Sequence, residues 1–420
     1  MLSEEYNRLL EWVSTRFPSF QKVGAPALRP GIGNMIEFDS LLGTPHRKYP
    51  TVHIAGTNGK GSVSHMIAAG LSACGMKVGL YTSPHLKDFR ERMRIVEKGT
   101  FRLIPEEAVF DFLTAHKGDM VRLDLSYFEM TTGMAFSWFA TENVDIAVIE
   151  TGLGGRLDST NVITPVLSVI TNIGLEHCSY LGSSLEQIAF EKAGIIKPGV
   201  PVVVGEDLPE TRPVFESCAK QCESEILFAR EIRNPLGLSI DNIDLKGDYQ
   251  KRNLNTVGVA AGVLSGVVGI DISRFAEGVA RTSVITGLRG RWELLRHGEG
   301  VADVICDTGH NAHGLKWVGE QIDRISCDYD TVHFIIGISG DKDLREIMRF
   351  LPHNVRYIAT QAASSRAMDA VMLANEMTDN GFACTMIRPV AEAYRQTLAR
   401  AGSKDLVFIG GSNFVVAEIL

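Results

Sequence analysis

The sequence of 420 residues lacks the features that mark membrane proteins, disulfide-stabilised proteins and nucleic-acid-binding proteins. No apolar run approaches the roughly 20 residues of a membrane-spanning helix, and the acidic segment 1–5 has no signal-peptide character. The seven cysteines are scattered and odd in number, which is typical of a reducing compartment. A net charge of −8 disfavours nucleic acid and anionic membranes, because both attract basic surfaces. We therefore expect a cytoplasmic protein that binds neither.

Low-complexity tracts and repeats of fixed period are also missing, and apolar strand-like runs alternate with helical patterns instead. This alternation indicates a mostly parallel α/β organisation. The first series of runs lies at 52–55, 78–81, 145–149, 166–170 and 202–204, and the second at 301–306, 332–338, 355–359, 383–387 and 406–409. Because 420 residues exceed one compact core, we predict two domains, 1–288 and 289–420, with a hinge at 286–291.

The most informative segment is 51–63, where an apolar run leads into a glycine-rich turn and then a helical pattern. In such a turn, backbone N–H groups converge on phosphate oxygens and the helix N-terminus adds partial positive charge. The candidate phosphate-binding residues are Gly56, Thr57, Asn58, Gly59, Lys60, Gly61 and Ser62. Lys60 suits the β- and γ-phosphates, and Ser62 suits phosphate or metal. The spacing departs from the standard P-loop, since Gly61 separates Lys60 from Ser62.

Polar residues follow other runs of the first series, at the edge where open α/β sheets bind ligands. Glu150 comes directly after a buried run and is either a Mg²⁺ ligand, a helix cap or a surface acid. His177 is either a ligand for metal or phosphate, or a core histidine. Ser83 precedes a proline, a pattern that also makes simple turns. Lys192 lies in a helical pattern, where its chemistry alone indicates no more than a helix cation.

Segment 86–103 differs in composition from the apolar runs around it. Arginines at 90, 92 and 94 are followed by Lys98-Gly99, which has apolar residues on either side. This pattern predicts a β-hairpin or a flap added to the sheet.

Five motifs together resemble the folylpolyglutamate synthase and dihydrofolate synthase family, whose members are related to the Mur cell-wall ligases. They are GTNGKGS (56–62), TSPHL (82–86), ETGLGGRLDSTN (150–161), GLEH (174–177) and EKAGIIKPG (191–199), in that order. The resemblance implies a P-loop ATPase domain with a mostly parallel sheet, followed by a smaller Rossmann-like α/β domain. It also implies ATP, two Mg²⁺ ions, L-glutamate and a dihydropteroate or reduced folate as ligands. We expect a monomer.

In the first domain, the resemblance implies roles for particular residues. Gly59, Lys60 and Ser62 match the phosphate loop. The positions that hold the two Mg²⁺ ions match Ser83, Glu150 and His177. Lys192 matches a lysine that the family carries as a carbamate, which turns a cation into an additional carboxylate. Asn253 matches an asparagine near the nucleotide.

In the second domain, Arg291 matches an arginine that reaches ATP. Asp307 and His310 match a pair that faces the active cleft, Asp307 on the nucleotide side and His310 as a catalytic residue and glutamate contact. Ser412 resembles a serine near the incoming amino acid. The motif at 307–312 reads DTGHNA where the family usually has DGAHNP. The stretch from Arg291 to Asp307 is also longer than expected, which predicts a hairpin at 298–300.

The implied activity is an ATP-dependent amide ligation. A pterin carboxylate attacks the γ-phosphate of ATP to form an acyl phosphate, and the α-amine of glutamate then displaces phosphate. The acceptor is dihydropteroate, a folylpolyglutamate or both, and a bifunctional enzyme is the favoured hypothesis. One alternative is a Mur-type ligase acting on a UDP-sugar, although only residues 1–51 precede the first strand-like run. The other is a non-catalytic nucleotide-dependent binding protein, which the complete set of metal-position residues disfavours.

Two segments leave their roles open. The Pro- and Gly-rich loop 24–31 is either a pterin contact or a surface connection. The cluster of Arg90, Arg92 and Arg94 is either a contact for a polyglutamate tail or a solvated face.

Overall fold

The computed structural model describes residues 2–24, 27 and 31–420. Two compact units make up the chain: unit 1 is Met1–Asp244 with Gln250–Leu288, and unit 2 is Leu245–Tyr249 with Arg289–Leu420. The short segment Leu245–Tyr249 thus packs with unit 2 although unit 1 resumes directly after it. Among the described residues, no helix combines the length and apolar character needed to cross a bilayer.

Unit 1 is built on one mixed sheet with helices on both faces. Its strands are β1 (Thr51–Ala55), β2 (Val78–Tyr81), β3 (Met93–Glu97), β4 (Thr100–Leu103), β5 (Ile146–Glu150), β6 (Leu167–Ile170), β7 (Val202–Val204) and β8 (Ile226–Phe228). Its helices are α1 (Leu2–Arg16), α2 (Phe20–Val23), α3 (Gly33–Leu41), α4 (Lys60–Ala73), α5 (Glu106–Arg122), α6 (Tyr127–Thr141), α7 (Cys178–Leu181), α8 (Leu185–Ala193), α9 (Arg212–Gln221), α10 (Gln250–Val268), α11 (Ile272–Ala280) and α12 (Thr282–Thr286).

The strand order across this sheet is β4-β3-β2-β5-β1-β6-β7-β8. All neighbours run parallel except the pairs β2–β3 and β3–β4, which are antiparallel. Strands β1 and β5 are buried at every residue, as expected for parallel strands covered on both faces. The predicted hairpin in 86–103 is confirmed as β3 and β4. The apolar runs did not predict β8.

Unit 2 repeats the design on a smaller scale. Its strands are β9 (Glu293–Arg296), β10 (Asp303–Cys306), β11 (Val332–Ile336), β12 (Arg356–Ala359), β13 (Cys384–Met386) and β14 (Leu406–Gly410). Its helices are α13 (Ala312–Ile325), α14 (Leu344–Met348), α15 (Ala370–Asp379), α16 (Val390–Arg400) and α17 (Asn413–Ala417). The strand order is β13-β12-β11-β14-β10-β9, and only β9 runs antiparallel to its neighbour.

The hairpin predicted at 298–300 is therefore confirmed as the turn between β9 and β10. The predicted fold class is also confirmed: both units are α/β structures with mostly parallel sheets. In such sheets the carboxyl ends of neighbouring strands share one edge. That edge carries the candidate residues in each unit.

Candidate active site

The loop between β1 and α4 has a backbone that requires glycine at two positions. Gly56 has φ of +149°, and a Cβ there would lie 1.8 Å from Oγ1 of Thr171. Gly59 has φ of +82°, and its Cβ would lie 2.4 Å from Oδ1 of Asn253. The backbone of the loop therefore lies close to Thr171 on one side and to Asn253 on another. Helix α4 begins directly after the loop, at Lys60.

The segment that follows β6 braces this loop. Asn172 accepts the N–H of Thr57 at its carbonyl and the N–H of Asn58 at its side chain, both at 2.9 Å. The hydroxyl of Thr171 donates to the carbonyl of Asn58 at 2.6 Å. Because the backbone of the loop is fixed by its neighbours, its shape is set before any ligand binds.

Two lysines approach the same carbonyl of the loop. Nζ of Lys60 lies 3.0 Å from the carbonyl oxygen of Gly56, and Nζ of Lys192 lies 2.8 Å from it. Lys192 is buried, and burial together with the charge of Lys60 lowers its pKa to about 7. This lysine is thus no simple helix cation, since it reaches from α8 to the phosphate loop.

Ser62 and Asn253 are joined through a buried glutamine that was not among the predicted residues. Nε2 of Gln250 donates to Oγ of Ser62 at 3.1 Å, and Nδ2 of Asn253 donates to Oε1 of Gln250 at 2.8 Å. Gln250 and Asn253 lie one turn apart at the start of α10. Their spacing of three residues, which places them on one helix face, was the available signal in the sequence.

Glu150 is the last residue of β5, one position inside the strand rather than beyond it. Its side chain is buried, and Oε2 accepts the N–H of Ser83 at 3.2 Å. Ser83 follows β2, the neighbour of β5, so strand order explains why these two residues meet. The predicted metal residues Ser83 and Glu150 are therefore brought together.

The loop after β5 is organised by Asp158, which was not among the predicted site residues. Its Oδ2 accepts the N–H groups of Gly152 and Leu153 at 2.9 and 2.8 Å, and burial raises its pKa. Segment 191–199 packs on this loop, because the N–H of Arg156 donates to the carbonyl of Glu191 at 2.7 Å. Two of the motifs noted in the sequence are thus parts of one surface.

His177 has a left-handed backbone, with φ of 54° and ψ of 37°, and directly precedes α7. Its ring lies edge-on to Phe20, with the centroids 5.5 Å apart, and Nε2 lies 4.0 Å from a carboxylate oxygen of Glu176. In the described part of the chain, no group of three or more His, Cys, Asp and Glu side chains is arranged to hold a metal ion. A metal at this edge would need hydroxyl and ligand oxygens as well.

In unit 2, Asp307 follows β10 and has a buried carboxylate. Its Oδ2 accepts the hydroxyl of Tyr249 at 2.6 Å and the N–H of Trp292 at 2.8 Å. Its Oδ1 accepts the N–H of Gly309 at 2.7 Å. Burial raises its pKa, whereas these hydrogen bonds and the charge of Arg291 act in the opposite direction.

His310 and Ser412 are held by local contacts on the same edge. Nδ1 of His310 lies 3.0 Å from the carbonyl oxygen of Thr308. Ser412 is buried and caps α17 by accepting the N–H of Phe414 at 3.2 Å. Since β10 and β14 are parallel neighbours, the loops that carry these residues begin side by side.

Comparison with known protein families shows which family this chain belongs to. The Mur ligase middle domain matches residues 54–261, and the Mur ligase glutamate ligase domain matches residues 290–413. A probable dihydrofolate synthetase of Schizosaccharomyces pombe is 33% identical over 76% of this chain and 79% of that protein. The chain belongs to the folylpolyglutamate synthase/dihydrofolate synthase family of Mur ligases.

Members of this family differ in length. A probable bifunctional folylpolyglutamate synthase/dihydropteroate synthase of Haloferax volcanii is 33% identical over 93% of this chain but only 48% of that protein. The chain therefore spans about half the length of the first curated relatives it matches.

Two solved structures of family members cover almost the whole chain. Escherichia coli FolC in complex with DHPP and ADP has a TM-score of 0.83 and 27% identity over 98% of this chain and 96% of that chain. The bifunctional folylpolyglutamate synthase/dihydrofolate synthase of Yersinia pestis, complexed with AMPPNP and a Mn ion, has a TM-score of 0.81 and 25% identity, covering 98% and 97%.

Within unit 1, most of the residues predicted from the family's motifs lie on connected segments. Lys60 and Lys192 share a carbonyl, Ser83 contacts Glu150, and Asn253 lies against Gly59. Arg291 lies in unit 2, where it donates to the carbonyl of Gly290 at 3.2 Å. Five of the six residues 25–30, the core of the predicted pterin loop, lie outside the described residues.

Proposed function

We propose that this protein is an ATP-dependent ligase that joins L-glutamate to dihydropteroate, to folylpolyglutamates or to both through an acyl phosphate. The observation that carries the proposal is the meeting of Lys60 and buried Lys192 at the carbonyl of Gly56, inside the glycine loop of a Mur ligase middle domain. The names of the S. pombe and Y. pestis relatives support it, as do the DHPP and ADP bound to E. coli FolC.

The first half-reaction brings two anions together, because the pterin carboxylate attacks the γ-phosphate of ATP. The cationic side chain of Lys60 and the N–H groups at the start of α4 would offset this repulsion and align the γ-phosphate. The bond between the carboxylate oxygen and phosphorus forms as the bond to ADP breaks. Asn253, Arg291 and Asp307 are the proposed nucleotide contacts outside the loop.

Mg²⁺ would be held by Ser83, Glu150 and His177 and would neutralise phosphate charge. The donors suit this ion: a buried carboxylate and a neighbouring serine at the ligand edge of the sheet supply hard oxygen atoms. Asp158 fixes the backbone that follows Glu150, which keeps the carboxylate in place.

Lys192 is the proposed site of a carbamate. Its neutral amine would attack CO₂, form a new N–C bond and release one proton, which leaves a carboxylate at the end of the side chain. The pKa of about 7 supports this chemistry, since a large fraction of the amine is neutral at physiological pH.

His310 is the proposed proton acceptor in the second half-reaction, in which the amine of glutamate attacks the acyl phosphate and phosphate leaves. A carbonyl only accepts hydrogen bonds, so the contact with Thr308 places the proton of the neutral ring on Nδ1. The lone pair then lies on Nε2, where it can take the proton that the amine loses. Ser412 is the proposed second contact for glutamate.

The test is phosphate release by the purified protein with ATP, Mg²⁺ and L-glutamate, in parallel with dihydropteroate and with tetrahydrofolate. We expect release that requires glutamate and is supported by both pterins. Support by one pterin alone would assign the protein to that half of the activity. If neither pterin supported phosphate release, the proposal would be contradicted.

A further inference from the structure

The arginine-rich segment 90–94 packs inward instead of forming a solvated face. Side chains of Arg92 and Arg94 are only 4% and 6% exposed, so the solvated interpretation is wrong for both. Arg90 is more exposed and pairs with Asp88 at 2.7 Å. The buried arginines contact the loop 82–88, which follows β2 and carries Ser83.

Glu91 binds three consecutive backbone groups of that loop. Its carboxylate accepts the N–H groups of Leu86, Lys87 and Asp88 at 2.8, 3.0 and 2.8 Å. Hydrogen bonds from N–H groups to a carboxylate are among the stronger ones in proteins. One side chain thus fixes the far end of the loop.

Arg92 holds the middle of the loop and its beginning. Its Nε donates to Nδ1 of His85 at 2.8 Å, and its carbonyl accepts the N–H of Thr82 at 3.0 Å. Its guanidinium also lies over the ring of Tyr127, 5.3 Å from the centroid, which ties the loop to the start of α6. Arg94 adds a contact from Nη1 to the hydroxyl of Thr82 at 3.5 Å.

Ser83 therefore lies between two anchored points, Thr82 on one side and His85 on the other. Its own N–H donates to the carboxylate of Glu150. The position of Ser83 relative to Glu150 depends on segment 91–94, hereafter the clamp. Residues that orient the ligands of a metal are commonly as important as the ligands themselves.

We propose that Glu91 and Arg92 are positioning residues that preorganise Ser83 and Glu150 for the divalent metal of the nucleotide. This inference rests on the proposed metal role of those two residues. Glu91 and Arg92 would act through this loop, which their side chains contact. Their contribution is to keep a serine on an irregular loop beside a carboxylate on a strand.

The experiment compares Glu91→Gln and Arg92→Gln with the unaltered full-length chain. Amide hydrogen exchange of peptides covering 82–88 reports the loop, and Mn²⁺ binding in the presence of AMPPNP, followed by electron paramagnetic resonance, reports the metal. We expect faster exchange in 82–88 and a Mn²⁺ affinity weaker by about 10-fold. Arg92→Lys should restore part of both.

Two control variants separate the clamp from general loss of stability. Arg90→Gln removes a neighbouring arginine that pairs with Asp88, and Asp369→Asn removes a carboxylate that caps α15 in unit 2 by accepting two N–H groups. Both should leave Mn²⁺ affinity unchanged. Equal weakening by the controls, or faster exchange in 82–88 with unchanged Mn²⁺ affinity, would overturn the proposal.

If Glu91→Gln does not fold, Arg92→Gln tests the same expectation. Failure of the proposed function would look different. A protein whose Mn²⁺ affinity depends on the clamp, but which releases no phosphate with either pterin, would support the positioning role of the clamp and contradict the proposed ligase activity.

Discussion

Glu150 in unit 1 and Asp307 in unit 2 occupy similar places, because each is a buried carboxylate at the carboxyl end of an internal strand. Their surroundings differ. Glu150 receives the N–H of Ser83 and lies on the strand beside β1, which leads into the lysine-bearing loop. Asp307 accepts three donors of its own unit.

A buried carboxylate at the end of a strand thus serves a different purpose in each unit. The edge of unit 1 holds the cationic Lys60 on a backbone that neighbouring segments fix, as anionic ligands require. In unit 2, Asp307 organises the loop that carries His310 and has room for about one further donor, since a carboxylate has about four acceptor sites. We infer that ligand binding at the edge of unit 1 depends mainly on charge. The role of Asp307 in unit 2 depends mainly on local geometry.

The largest expected effect comes from removing charge in unit 1. Lys60→Met should lower glutamate-dependent phosphate release by about 1000-fold, because a preorganised cation is lost where negative charge develops. Lys220→Met, at an exposed position on α9, is the matched control and should keep full activity. Comparable activity of the two variants would show that charge in the loop is not decisive.

Lys192→Met tests how the buried amine of Lys192 makes the stability of the protein depend on pH. The folded amine has a pKa of about 7 against an ordinary value of 10.5, so between these values the unfolded chain binds more protons. The amine therefore lowers stability most below pH 7, and this penalty fades as the pH rises towards 10.5. With CO₂ excluded, so that Lys192 stays an unmodified amine, we expect the stability of the wild type against urea to rise between pH 7 and pH 9 and this rise to be smaller in the variant. An equal gain in both would contradict the burial of a neutral amine.

In unit 2, changes should act through geometry and be smaller. Asp307→Asn should lower the free energy of unfolding by about 1–3 kcal/mol, since buried donors lose an acceptor. Tyr249→Phe should cost about 1 kcal/mol, because only one hydrogen bond disappears. Thermal unfolding with and without ATP measures both. A larger loss of stability in Tyr249→Phe than in Asp307→Asn would show that the carboxylate does not organise this loop.

The smallest expected effect is that of Ser412→Ala. Loss of the cap on α17 should cost about 1 kcal/mol, and the KM for glutamate should rise more than the KM for ATP. Ser239→Ala, near a short turn of unit 1, is the control. An unchanged KM for glutamate would limit Ser412 to its capping role.

Sequence alone predicted the two mostly parallel sheets and the hairpin, because buried strands leave continuous apolar runs. It also predicted the loop 56–62, whose glycines reflect close approaches now visible at Gly56 and Gly59. Gln250 and the clamp were missed, since their importance depends on side-chain partners distant in sequence. Leu245–Tyr249 belongs to unit 2, and the composition of this segment did not indicate that.

Formation of an acyl phosphate can be tested with dihydropteroate labelled with ¹⁸O in both oxygens of its carboxylate, incubated with ATP, Mg²⁺, L-glutamate and the protein. We predict that each released phosphate carries one ¹⁸O atom from the pterin, because the attacking carboxylate oxygen leaves with phosphorus. Released phosphate without the label, alongside formation of the amide, would contradict it.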